Sequence, residues 1–166
     1  MRHLSTLVVS LVLAAGCASK PSGATTPTSP TASAPTARAG LRIGLTVVYV
    51  DDQDKALRFY TDVLGFAKKD DFSNSGFRWL TVADAGGAEL QLALNSDPAA
   101  KAFQKAMFDQ SQPALMFYTN DVKADYERIK AGGAEFTMPP TDVTMSSIAT
   151  VKDGCGNLIQ LTQLKR

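Results

Sequence analysis

The sequence predicts an α+β domain in which a β-α-β-β-β module occurs twice in tandem. A strand rich in β-branched residues precedes an amphipathic helix and three more strands, and after a connecting helix this order returns. Turn-forming residues separate the strands in both halves. A shift of 69 positions also brings identical residues into register, as expected for a duplicated module. The matched pairs are Tyr49 and Tyr118, Asp52 and Asp121, Gly87 and Gly156, Gln91 and Gln160, and Leu92 and Leu161.

The first module covers about residues 41–95 and begins with a strand. The helix that follows is capped by Asp52 or Asp54, because an aspartate side chain accepts hydrogen bonds from the free N–H groups of a first turn. Gly65 ends this helix, since glycine tolerates the left-handed conformation of a helix stop. The predicted segments are strands at 41–50, 66–71, 77–82 and 88–94, with turns at 73–76 and 84–87.

A connecting helix leads into the second module, about residues 113–166. It begins after Asp97, carries Pro98 at its first position and runs to Phe108. In the second module we expect Asp121 to cap the helix. Neither module alone buries both faces of its sheet, so we expect the two to pack into one domain. The remaining predicted segments are strands at 114–119, 134–138, 147–151 and 157–163, with a helix stop at Gly132 and Gly133.

Charge and histidine content exclude several classes of function. The chain of 166 residues has 17 basic and 16 acidic side chains, and 14 basic and 16 acidic ones remain after residue 40. This balance gives no electrostatic basis for binding nucleic acid. The only histidine is His3, at the N-terminus. The domain therefore has no Ser-His or Cys-His catalysis and no histidine-ligated metal.

The N-terminal segment has the layout of an export signal. Residues 1–16 combine a basic start with an apolar run, and the ending LAAGC resembles the lipobox of bacterial lipoprotein precursors, which implies lipidation of Cys17. Residues 17–40 are rich in Pro, Ser, Thr and Ala, and we expect a disordered linker. The expected location is the cell envelope. The two residues after Cys17 lack an inner-membrane retention aspartate, so the outer membrane facing the periplasm is favoured.

Four segments resemble the signatures of the vicinal oxygen chelate superfamily, which includes glyoxalase I, bleomycin-resistance proteins and extradiol dioxygenases. They are DQDKALRFY at 52–60, LGF at 64–66, GGAEF at 132–136 and DGCGNLIQL at 153–161. The resemblance covers residues 41–166. It implies the glyoxalase/bleomycin-resistance fold, in which the two modules form a cup-shaped mixed sheet with the binding site inside.

The resemblance also implies where a metal would lie. Enzymes of this family hold a divalent metal with four His or Glu side chains, and the matching positions here are Leu45, Gln91, Ala114 and Gln160. Two of these side chains are hydrocarbon, and neutral amides bind divalent transition metals poorly. We therefore expect no metal, no other cofactor and no catalytic residue.

The remaining expectation is a ligand site lined by amides and aromatic rings. Gln91 and Gln160 could hydrogen-bond a polar ligand, or they could bond each other or water in a closed core. One of Arg78 and Trp79 should point into the cup. The candidate lining residues are Gln91, Gln160, Tyr49, Tyr118, Met116, Arg78 and Trp79.

The leading functional hypothesis is metal-independent binding of a small molecule, as in the bleomycin-resistance branch that the sequence resembles. One alternative is a metal-dependent enzyme of glyoxalase or dioxygenase type. Another is an envelope module that binds a second protein through an outer sheet face, which predicts an exposed apolar patch. The expected partners are an unidentified small molecule and, through the lipidated N-terminus, a membrane. Homodimer formation stays open.

Overall fold

The computed structural model describes Gly40 and residues 43–165. The predicted signal peptide, the lipidation of Cys17 and the linker lie outside the described residues and stay predictions. The chain from Gly40 onward forms one compact unit. Within the described part, every helix is too short or too polar to cross a lipid bilayer.

The first module forms a four-stranded mixed sheet in the order β1-β4-β3-β2. Strand β1 runs parallel to β4, and the other neighbouring strands are antiparallel. The predicted order of strands and helix is confirmed, although β1 starts later than predicted. The elements are β1 (Leu45–Val50), α1 (Gln53–Arg58), β2 (Ala67–Asn74), β3 (Phe77–Ala83) and β4 (Glu89–Leu94).

The second module repeats the arrangement as a sheet in the order β5-β8-β7-β6, after the predicted connecting helix. The 69-residue shift holds for hydrogen-bonding register as well as for sequence. Gln91 pairs with Val47 in the first sheet, and Gln160 pairs with Met116 in the second. The elements are α2 (Pro98–Asp109), β5 (Leu115–Tyr118), α3 (Val122–Ala131), β6 (Phe136–Asp142), β7 (Ser146–Lys152) and β8 (Leu158–Leu164).

The two module helices start alike and differ near their ends. Asp52 accepts hydrogen bonds from the second and third N–H groups after it, both at 2.9 Å, and Asp121 does the same at 3.1 and 3.0 Å. Helix α1 continues into a π-helical turn, Phe59–Val63. The segment between the capping aspartate and the left-handed glycine is one residue longer in the first module (Asp52 to Gly65) than in the second (Asp121 to Gly133). The wider π turn accommodates this extra residue.

One hydrophobic core spans both modules. Each sheet turns one face toward this core, and the ring of Tyr60 and the side chain of Ile129 bring in the two module helices. The two modules therefore pack around a shared core. The sheet residues of the core include Val48, Val50, Leu90 and Leu92 from the first module and Ala149, Val151, Ile159 and Leu161 from the second.

Candidate ligand-binding site

The two predicted glutamines occupy equivalent places on the sheet faces that point away from the core. Because paired residues on neighbouring strands share a face, the register assigns the other side chains there. We call these two surfaces the glutamine faces. The first carries Val47, Tyr49, Trp79, Thr81 and Gln91, and the second carries Met116, Tyr118, Thr150, Gln160 and Thr162.

The glutamines do not bond each other. The Nε2 of Gln160 donates to Thr162 Oγ1 at 3.0 Å. Gln91 is 8% exposed and makes no side-chain hydrogen bond to any described residue. In the described part of the chain, Tyr60 Oη is the only buried side-chain N or O atom without a hydrogen-bond partner. The unbonded amide atoms of Gln91 are therefore not fully buried and contact solvent. The Gln91 amide is therefore free to bond water or a ligand.

Large, mainly apolar side chains are exposed to solvent on both glutamine faces. Tyr49 is 53% exposed, Met116 52% and Tyr118 72%. Trp79 stacks on Phe72, with ring centroids 6.3 Å apart and planes inclined by 19°. The predicted aromatic and amide residues thus lie on the sheet faces opposite the core, in two groups of one module each.

Arg78 lies on the other side of the first sheet, so of the pair Arg78 and Trp79 only Trp79 lies on the glutamine face. Its Nε and Nη2 donate to the carboxylate of Asp71 at 2.8 and 3.0 Å, and its Nη1 donates to Asp54 at 2.7 Å. Hydrogen bonding to Asp71, more than to Asp54, raises the pKa of the guanidinium. Side chains alternate along β3, so Trp79 takes the glutamine face and Arg78 the opposite one.

A cavity of about 320 Å³ lies between β1, helix α2 and the start of the second module. We call it the α2 cavity. Its lining side chains are mainly apolar, and none is charged. It shares Val47 and Tyr49 with the first glutamine face. Ala114, one of the expected metal positions, lies in its wall, whereas Gln91 and Gln160 are outside it. Its chief lining side chains are Val47, Tyr49, Phe103, Gln104, Met107 and Phe108.

Two amides join α2 and the second module to the edge strand β1. The Nε2 of Gln104 lies 3.0 Å from the carbonyl oxygen of Tyr49, 3.1 Å from that of Cys155 and 2.8 Å from Asn157 Oδ1. Asn157 Nδ2 donates to the same Tyr49 carbonyl at 2.9 Å and to Asp153 Oδ2 at 2.6 Å. These bonds occupy a backbone acceptor of β1 that would otherwise lie open at the sheet edge.

The turn that presents Asn157 is built on a buried carboxylate. Asp153 Oδ1 accepts from the backbone N–H groups of Cys155 at 2.7 Å and Asn157 at 2.9 Å. Desolvation nevertheless raises the pKa of Asp153. Burial, with Asp153 nearby, also raises the pKa of the Cys155 thiol to about 12. The thiol therefore stays protonated and packs as a small apolar group.

The residues at the expected metal positions do not fit a divalent transition metal. Leu45 and Ala114 offer no donor atom, and Gln91 and Gln160 offer only neutral amides. No group of three or more His, Cys, Asp or Glu side chains in the described part of the chain is arranged to hold an ion.

Gln104 escaped prediction from the sequence. It is the polar member of the helical stripe that Ala100, Phe103, Met107 and Phe108 form on α2, and all five line the cavity. A polar residue inside an apolar stripe at helical spacing is the signal that could have identified it.

The fold and the repeat agree with a comparison against known families. A family model described as "Glyoxalase/Bleomycin resistance protein/Dioxygenase superfamily" matches residues 42–161. The chain belongs to this superfamily. The match spans the first module, the connecting helix and the second module as far as Leu161, so the whole lining of the α2 cavity lies within it.

Superfamily members similar to this chain carry different descriptions. "Uncharacterized protein YurT" of Bacillus subtilis is 45% identical over 126 residues, which cover 74% of this chain and 99% of YurT. A "Probable lactoylglutathione lyase" of Vibrio cholerae is 31% identical, and the matched region covers 75% of this chain and 92% of the Vibrio protein. TnmS3, "an antibiotic binding protein from Streptomyces sp. CB03234", is 29% identical with a TM-score of 0.62, covering 78% of this chain and all of TnmS3.

Proposed function

We propose that the protein binds an uncharged, mainly apolar small molecule, without a metal ion and without chemical turnover. The observation that carries the proposal is the α2 cavity, whose side chains are apolar or neutral amides. Concave, mainly apolar sites with a few polar groups are typical of small-molecule binding. An ionic ligand would lose its hydration there without gaining a charged partner.

Chemistry at the expected metal positions supports binding over catalysis. A glyoxalase or dioxygenase of this superfamily needs charged or imidazole ligands, and Leu45 and Ala114 supply none. The description of the similar protein TnmS3 as an antibiotic binding protein supports small-molecule binding as a role for this chain.

A thermal-shift screen tests the proposal on the full chain, with and without EDTA. A ligand that binds only the folded state raises the melting temperature by mass action. We expect uncharged aromatic compounds to stabilise the protein equally in both conditions. Phe103→Ala should weaken this response, because Phe103 lines the cavity and is 68% exposed, so its removal leaves the core intact. Phe77→Ala, also at an exposed ring but outside the cavity, is the matched control.

Lyase activity is the second candidate, because the Vibrio cholerae relative is described as a probable lactoylglutathione lyase. It predicts turnover of the glutathione hemithioacetal of methylglyoxal, with loss of the activity in EDTA. We expect no turnover above the uncatalysed rate. Metal-dependent turnover would contradict the proposed function.

We further propose that the domain works at the cell envelope, held by lipid on Cys17. The lipobox-like ending and the polar linker support this location. In a bacterium that processes lipoproteins, the full chain should partition into the detergent phase of Triton X-114, and Cys17→Ala should move it to the aqueous phase. Equal partitioning of both would contradict lipid anchoring.

A further inference from the structure

The α2 cavity presents a polar group of fixed orientation, the side-chain amide of Gln104. Its nitrogen lies within 3.1 Å of three oxygens, those of the Tyr49 and Cys155 carbonyls and Asn157 Oδ1. An amide nitrogen donates and cannot accept, so these three acceptors fix which end of the amide faces the protein. The amide cannot flip without setting oxygen against oxygen.

The other end of this amide is an unused acceptor. Gln104 Oε1 receives no hydrogen bond from any described residue, yet it is not a buried unpaired atom, so it remains accessible. Gly156 lets the amide lie close to the turn, since a Cβ there would come within 3.0 Å of Gln104 Cδ. Gln104 lines the α2 cavity among mainly apolar side chains, and its amide supplies an accessible carbonyl oxygen whose orientation the protein fixes.

We propose that Gln104 determines specificity by accepting a hydrogen bond from the ligand, so that the site selects uncharged aromatic molecules carrying an O–H or N–H donor. This inference rests on the proposed function and narrows its ligand class. A ligand without a donor fills the same apolar space but leaves Oε1 unpaired, and an unpaired polar group in a desolvated site costs affinity. Lys101 and Lys105, which flank Gln104 on α2, do not line this cavity. They line an adjoining surface depression that shares Gln104, Phe108 and Gly156 with it.

Three probes of equal ring size test the inference by titration calorimetry on the full chain. They are 2-naphthol, which has a donor, 2-methoxynaphthalene, which has none, and 2-naphthoate, which is an anion. One neutral hydrogen bond corresponds to roughly a two- to tenfold preference. We expect 2-naphthol to bind more tightly than the ether by this factor and 2-naphthoate to bind most weakly.

Variants assign the preference to Gln104. Gln104→Met should bring the ratio of the two neutral probes to about one by weakening 2-naphthol selectively, and Gln104→Asn, which draws the amide back by one methylene, should do the same. Gln110→Met replaces an exposed amide just after α2 that does not line the cavity and should leave the ratio unchanged. The ratio is internal to each variant, so a general loss of stability does not imitate the effect, and the milder Asn variant decides if the Met variant does not fold.

The outcomes separate this inference from the proposed function. Equal binding of both neutral probes by the wild type, or loss of the preference in Gln110→Met, would overturn the role of Gln104 and leave the binding function standing. Tightest binding of 2-naphthoate would overturn the uncharged ligand class. Failure of all three probes to bind would contradict the proposed function itself.

Discussion

Tyr60 packs its ring in the core but leaves its hydroxyl group without a hydrogen bond among the described residues. Its ring is fully buried and meets Phe59 edge-on, with centroids 5.3 Å apart, and Phe66 at 6.2 Å. Its hydroxyl has no hydrogen-bond partner among the described residues. Desolvation, with Asp153 nearby, raises the pKa of the phenol well above its usual value, so it stays neutral.

Tyr60→Phe should therefore stabilise the protein. The variant keeps the ring and removes an unsatisfied buried hydroxyl, so the free energy of unfolding should rise by about 1 kcal/mol. Urea denaturation measures the change. Tyr118→Phe, at a 72% exposed ring, is the control and should stay within about 0.5 kcal/mol of the wild type. A clear loss of stability in Tyr60→Phe would reveal a partner of the hydroxyl that this account lacks.

The ion pair of Asp71 with Arg78 should make stability depend on acid pH. Hydrogen bonds from Arg78 lower the pKa of Asp71 from its ordinary 3.8 to about 2. Because this pKa is lower in the folded state, the stabilisation is present above pH 3.8 and is lost as pH falls toward 2. Asp71→Asn should flatten the fall in unfolding free energy between these pH values. An unchanged slope would contradict the pairing.

At the scale of elements, the two turns before β4 and β8 are built alike. Asp84 Oδ1 accepts from the N–H groups two and four residues on, both at 2.9 Å, as Asp153 Oδ1 does at 2.7 and 2.9 Å. Gly87 and Gly156 take equivalent left-handed conformations, with φ of 85° and 92°. The second of these turns contacts helix α2, because Gln104 donates a hydrogen bond to the carbonyl oxygen of Cys155.

Alanine at the two glycines should separate backbone strain from helix docking. Gly87→Ala meets no atom within 4 Å and should cost about 1 kcal/mol for its positive φ alone. Gly156→Ala brings a Cβ within 3.0 Å of Gln104 and should cost at least about 1 kcal/mol more, since the helix amide must leave its partners. Urea denaturation of both variants measures the difference. Equal costs would show that α2 does not rest on this turn.

The sequence predicted the order of the elements better than their details. Asp97 and Asp121 cap their helices as predicted, and Asp52 is the cap where Asp52 and Asp54 were both candidates, because capping depends on local residues. The π turn was not predicted, since one extra residue in the first helix leaves no local signature. Strand β2 runs to Asn74 because Ser75 and Gly76 form a two-residue turn, where the composition indicated a wider loop.

At the scale of the whole molecule, the repeat was predictable and the cavity was not. Matched pairs such as Gln91 and Gln160 depend only on sequence, and the register places them as the shift of 69 requires. The α2 cavity depends on where the connecting helix docks, and the contacts there include the hydrogen bond from Gln104 to the Tyr49 carbonyl of a distant strand. Such a contact leaves no periodic pattern in the sequence.

The central claim is that this superfamily domain has a binding site without the means to hold a metal ion. Elemental analysis of the purified full chain tests it most directly, after incubation with nickel, zinc, manganese and ferrous iron and removal of unbound ions by dialysis. We expect well below one ion per chain for each metal. One tightly held ion per chain, lost from a variant at Gln91 or Gln160, would contradict the account.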